Sequence, residues 1–129
     1  MRYSLMNLLA CPMCRYFPLK LYVFKETIHI KNYAVDKPFC DLYCARHDTF
    51  FDKNKQLKPD CDDCVKHDIL SGIIICPKCK RWYPIIDGIP LMYPDEKRML
   101  PKTRRIIKNF LMKHCDEMPT ELKTICMTK

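Results

Sequence analysis

The chain has 129 residues, 48% of them hydrophobic and 29% charged, with a formal net charge of +8. That is one ordinary folded domain with room for a small lobe, and no apolar run approaches the ~18–20 residues of a membrane span. Only two glycines occur, Gly72 and Gly88, so no glycine-rich loop exists to cradle a phosphate or an adenosine cofactor, which argues against most nucleotide-binding enzymes.

Met1 to Leu9 is apolar at several positions and leads directly into Cys11-Pro12-Met13-Cys14. The run is too short for a secretory signal and has no small-residue cleavage site, so a cytoplasmic protein is expected. Phe17-Pro18-Leu19 opens a strand-forming run, Leu19 to Phe24. Lys25-Glu26 reads as a turn into a second alternating run, Thr27 to Ile30, which together predict a short hairpin. From Pro38 to Lys66 apolar residues thin out, Asp and Lys multiply and four more cysteines appear. This is the texture of a partly helical insertion.

Regularity returns at Ser71. Ile73-Ile74-Ile75 is a buried-strand signal feeding Cys76-Pro77-Lys78-Cys79, and the apolar runs flanking Asp87-Gly88 predict a tight turn. Pro101 suits a first helical position, and Ile106, Ile107, Phe110 and Leu111 recur with helical period. That stripe is expected to pack on the core, with Arg104, Arg105 and Lys108 outside it. From residue 97 onward nine basic residues face three acidic ones, which leaves six of the eight units of net charge in the tail.

Ten cysteines are many for this length. Without a secretory signal, their CxxC spacing points to metal and not to disulfides. Zinc takes four tetrahedral donors, and two C-P-x-C knuckles supply them: Cys11, Cys14, Cys76 and Cys79. Four thiolates leave no open coordination position, so this zinc is expected to be structural. Its apparent binding energy, on the order of 10 kcal/mol, exceeds the stability of many domains, and chelation should therefore unfold the ribbon. Cys40, Cys44, Cys61 and Cys64 also have ligand spacing and form the expected second zinc site, with disulfides or free thiols as the alternative. His47 and His67 each follow a cysteine by three residues and read as exposed polar residues. Cys115 and Cys126 are either packed thiols or a disulfide.

The matched motifs go further than spacing. Met1, Leu5, Asn7, Leu9 and Cys11, then Phe17-Pro18-Leu19, then Gly72, Cys76 to Cys79, Arg81, Tyr83-Pro84-Ile85 and Gly88-Ile89-Pro90 form a pattern covering both ends of the ribbon. It resembles the small zinc-ribbon activator subunit shared by S-adenosylmethionine-dependent methyltransferases that act on tRNA, rRNA and translation release factors. The resemblance implies a non-catalytic subunit of a heterodimer, which presents a strand and apolar surface to a methyltransferase and leaves catalysis and cofactor to that partner. The residues matching the family's partner-facing region are Met1, Arg2, Tyr3, Asp87, Gly88, Ile89, Pro90, Leu91 and Met92. Two features depart from the family pattern: four cysteines in the middle segment, and the basic tail.

The expected fold is therefore α+β. A zinc ribbon of antiparallel strands spans 1–37 and 71–97, a cysteine-rich lobe is inserted at 38–70, and a basic helical extension covers 98–129. The rival function is a stand-alone zinc ribbon that binds RNA through the basic tail, with Trp82, Tyr83 and Tyr93 as stacking surfaces.

Overall fold

The computed structural model describes residues 1–28, 40, 42–50, 61–64, 66–120 and 122–123, the side chains at 61 and 62 excepted. Its centre is an antiparallel sheet of four strands: β1 (Lys20–Ile28), β4 (His67–Ile75), β5 (Trp82–Ile86) and β6 (Ile89–Pro90), in the order β1-β4-β5-β6. A separate two-stranded hairpin joins β2 (Tyr43–Cys44) to β3 (Thr49–Phe50), and a single turn of helix, α1, covers Cys61–Cys64. The short helix α2 (Asp95–Arg98) leads into α3 (Pro101–His114). The fold is α+β, as the sequence indicates.

β4 is the central strand and is covered on both faces, which explains its unbroken isoleucine run. Because side chains alternate along a strand, Ile73 and Ile75 point one way and Ile74 the other. Ile74 joins Met6, Leu19, Ile69, Tyr83 and Ile85 in a core capped by the N-terminal segment, where residues Tyr3–Asn7 form a 3-10 helix. Ile73 and Ile75 pack with Trp82 under Ile107, Phe110 and Leu111 of α3. Each isoleucine so buried contributes about 1.5–3 kcal/mol. The helix starts as its sequence demands, with Pro101 at the first position, where its missing N–H costs nothing.

Three expectations need correction. No turn forms at Lys25-Glu26. β1 runs through it as one nine-residue strand paired with β4, and register shifts on either side of Lys25 mark a bulge that absorbs the irregular spacing. Its partner is the long strand β4, which begins at His67 inside the stretch assigned to the insertion. Residues 29 and 30 of the expected second run lie outside the described residues. Ile106 belongs to the solvent-facing side of α3 and not to the buried stripe. Trp82 and Tyr83 are buried in the two cores, so neither offers a stacking face to a nucleic acid.

The Asp87-Gly88 turn forms as the sequence suggests. Both residues have positive φ, +51° and +80°, the combination that matches the twist of a two-residue hairpin. It leads the chain from β5 into β6, with Ile86 opposite Ile89.

Candidate metal centre and sheet edge

The two C-P-x-C knuckles fold alike. In each, the first cysteine's carbonyl accepts from the residue just past the second cysteine: Arg15 N to Cys11 O at 2.8 Å, and Lys80 N to Cys76 O at 2.9 Å. Arg15 and Lys80 both take positive φ to close these turns. The first cysteine's own amide is also fixed, Cys11 N to Tyr16 O at 3.0 Å and Cys76 N to Arg81 O at 2.8 Å. Two rigid, matched turns thus present their sulfurs toward each other.

The four sulfurs of Cys11, Cys14, Cys76 and Cys79 all lie within 4.8 Å of one another. Cys11 Sγ is 3.6 Å from Cys79 Sγ, and Cys14 Sγ is 3.4 Å from Cys76 Sγ. A tetrahedral zinc with bonds of about 2.3 Å needs sulfur–sulfur edges of about 3.8 Å. The donor set fits zinc in number, type and spacing. These four residues would hold it, and the ion would supply a cross-link between chain segments more than sixty residues apart in sequence.

Electrostatics favour the same occupant. Burial disfavours the Cys11 thiolate, but hydrogen bonds from the Tyr83 hydroxyl and from the amides of Cys14 and Met13 outweigh it and bring Cys11 down to about 6. Burial pushes Cys76 the other way, up to about 12, helped by the neighbouring sulfurs of Cys14 and Cys79. Four negative sulfurs this close repel one another strongly, and a divalent cation at their centre lets all of them ionise.

A second layer of contacts steadies the site. The Tyr83 hydroxyl lies 3.3 Å from Cys11 Sγ, wholly buried. Arg81 grips both oxygens of Asp95 at 2.7–3.1 Å, tying the second knuckle to α2. Arg98 lies over the Trp82 ring, 4.8 Å from its centroid, and donates to the Trp82 carbonyl. None of these partnerships was signalled by the sequence, because each joins positions whose proximity only the folded sheet creates.

The inserted cysteines are placed differently. Cys44 is buried, Cys40 and Cys64 are partly buried, and the Cys61 side chain lies outside the described residues. Cys44 Sγ lies 3.4 Å from His47 Nδ1. Among the described residues the two knuckles form the one close group of metal donors. His67 departs from its expected exposure: it is buried, with Nδ1 2.9 Å from Glu26 Oε1 and Nε2 3.1 Å from Asp63 Oδ2. Burial of an imidazole requires partners for its nitrogens, and the two carboxylates supply them. Cys115 is disulfide-bonded, and Cys126 lies outside the described residues.

The segments Met1–Tyr3 and Asp87–Met92, more than eighty residues apart, adjoin in space. The Met1 carbonyl accepts from Ile69 N at 2.6 Å, the Gly88 amide donates to Leu70 O at 2.9 Å, and a Cβ on Gly88 would lie 3.2 Å from Met1 N. The Met1 side chain is buried in the core, whereas Arg2 faces outward. The Tyr3 hydroxyl donates to Glu26 Oε2 at 2.7 Å. Leu91 N returns to Pro84 O at 2.9 Å, and Met92 packs on the core from the edge. Ile89, by contrast, is 61% exposed on β6, the last strand of the sheet.

Comparison with known proteins agrees with this architecture. The family model described as Trm112p-like protein matches residues 2–88. The chain belongs to the Trm112p-like family. Three bacterial relatives, each called UPF0434 protein, align with shorter stretches. The protein of Janthinobacterium sp. (strain Marseille) is 42% identical over 45 residues, 35% of this chain and 75% of that relative. The protein of Methylobacillus flagellatus is 48% identical over 33 residues, 26% of this chain and 55% of the relative. The protein of Ralstonia pickettii is 45% identical over 40 residues, 31% of this chain and 64% of the relative. The chain thus spans between about half and three quarters of the relatives it matches. The Trm112p-like match ends at Gly88, so β6, α2 and α3 lie beyond it. No described helix is long and apolar enough to cross a membrane.

Proposed function

We propose that this Trm112p-like chain is a non-catalytic activator subunit that binds S-adenosylmethionine-dependent methyltransferases acting on tRNA, rRNA and translation release factors. Family membership supports the class of role. The observation that carries the specific reading is the β6 edge: two residues long, at the end of the sheet, with Ile89 exposed beside the Met1–Tyr3 segment. An exposed edge strand bearing an apolar side chain is a liability in an isolated protein and an asset in a heterodimer. Main-chain pairing supplies affinity, and side-chain burial supplies specificity. Zinc, by locking the two knuckles, holds this edge in shape without touching the reaction.

Activation is then thermodynamic linkage. A subunit that binds only the folded methyltransferase stabilises it by about 2.7 kcal/mol when present at a hundred times its dissociation constant. The complex is placed in the cytoplasm, with RNA reached through the methyltransferase. A second zinc on Cys40, Cys44, Cys61 and Cys64 is a separate proposal, resting on the ligand spacing of those cysteines; metal analysis finding two zinc ions per chain would support it, and one would oppose it.

The test is co-expression with the same organism's candidate methyltransferases, scoring co-purification and methyl transfer. Ile89→Asp should abolish co-purification and leave the zinc content unchanged. Co-purification that survives the substitution would place the interface elsewhere. The rival reading of a stand-alone RNA-binding ribbon is less favoured, since two of its three stacking aromatics are buried.

A further inference from the structure

We propose that the outward face of α3 is a binding surface for the phosphate backbone of RNA, a role additional to any methyltransferase pairing. Between Pro101 and His114 the helix carries Lys102, Arg104, Arg105, Lys108 and Lys113 and no acidic residue. All five are exposed; at 100° per residue Lys102, Arg105, Lys108 and Lys113 occupy the half of the helix opposite Ile107, Phe110 and Leu111, and Arg104 borders the buried stripe beside Leu111. Among the described residues none of the five is in an ion pair. The nearby cations that serve the fold are placed otherwise: Arg81 is clamped on Asp95, and Arg98 is half-buried on Trp82.

Fold stability does not explain this arrangement. A helix N-terminus carries partial positive charge and favours acidic side chains, yet the first turns of α3 hold Lys102, Arg104 and Arg105 and no acid. Arg104 and Lys108 are an i,i+4 pair of like charges, which weakens a helix further. Asp116 and Glu117 lie just past the C-terminal end, where cations would be favoured. The charge of the first turns thus runs against the helix's own preference, whereas Lys113 and His114 suit its last turn. What offsets the repulsion is an external polyanion.

The geometry suits an RNA backbone. From Lys102 to Lys113 the helix advances about 16 Å at 1.5 Å per residue. Ile107, Phe110 and Leu111 fix it to the sheet, so the row of cations is presented on a rigid support instead of a floppy tail. With Trp82 and Tyr83 buried, contact through the cations of α3 is expected to be with the backbone, with strong salt dependence and little sequence preference.

The test uses the full chain, without a methyltransferase, and a fluorescein-labelled 20-base-pair RNA duplex titrated at several salt concentrations. Neutralising Z phosphates gives a slope of log affinity against log salt of about −0.7Z to −0.9Z. The double variant Arg105→Gln/Lys108→Gln should therefore flatten the slope by about 1.5 and weaken binding at low salt at least tenfold. Gln has helix propensity close to Arg and Lys, and unchanged circular dichroism and zinc content verify the fold. A charge-matched control, Lys66→Gln/Lys78→Gln, should stay within about twofold of the parent. An unchanged slope in the α3 variant, or an equal loss in the control, would overturn the proposal. Binding of polyglutamate as tight as that of the duplex would overturn it too, and would point to an acidic protein surface.

Discussion

Tyr83 offers the sharpest test of how the fold serves the metal site. Tyr83→Phe removes one hydroxyl, keeps the ring that fills the core, and leaves Cys11 without its hydrogen bond of 3.3 Å. With the hydroxyl donating to a thiolate, the bond is charge-assisted and contributes about 1.5–3 kcal/mol. Loss of a partner behind a metal ligand typically weakens metal affinity about 10–100-fold, which is the same energy expressed as binding. The burial of Tyr83 adds to the expectation, since no water is at hand to replace the missing donor. Competition against a chromophoric chelator measures the change, and cobalt substitution reports whether the four-sulfur tetrahedron survives. The expected outcome is an unaltered cobalt spectrum with zinc affinity lowered by one to two orders of magnitude. Affinity within twofold of the parent would refute the reasoning and make the hydroxyl a bystander to Cys11.

Other perturbations probe the frame around the site. Stripping zinc with a strong chelator should unfold the ribbon cooperatively, read as loss of the β-sheet circular dichroism signal and its recovery on adding zinc; a sheet that persists in the apo chain would deny the metal its structural role. Gly72→Ala would drive a methyl group into the Tyr22 carbonyl of the paired strand, a backbone atom that cannot swing aside. A loss of at least about 2 kcal/mol in urea denaturation is expected, and a loss under half that would show that β1 can shift away. Phe110→Ala, at a buried position stacked near Phe24, should cost about 3–5 kcal/mol and free α3 from the sheet, with faster proteolysis within the helix as the readout. Cleavage at the parental rate would mean the helix is held by other contacts.

The close group of four cysteines, the centre of the sheet and the turn were legible in the sequence. Cys11, Cys14, Cys76 and Cys79 were legible because zinc chemistry restricts ligand type and spacing so tightly that two C-P-x-C knuckles specify a site. Ile73-Ile74-Ile75 announced a strand covered on both faces, and Asp87-Gly88 announced the positive φ values that only a few residues tolerate. The family motif followed from the same local constraints. The insertion was harder to read. The spacing of its cysteines predicts a second metal, and the Cys61 side chain lies outside the described residues; His67, expected to be exposed, is instead buried between two carboxylates.

Tertiary structure alone decided whatever depends on which surfaces meet. Lys25-Glu26 looks like a turn in isolation, yet β4 extends far enough to hold β1 straight through it with a bulge. Trp82 and Tyr83 look like exposed recognition aromatics, yet α3 and the N-terminal segment cover the two sheet faces on which they lie. Tyr83 meets Cys11, and Gly88 meets Met1, across more than seventy residues of chain. Local sequence carries turn chemistry, periodicity and ligand spacing because these act within a few residues. Partnerships across the sheet depend on register and on which layer folds over which face, and those emerge only when the whole chain packs.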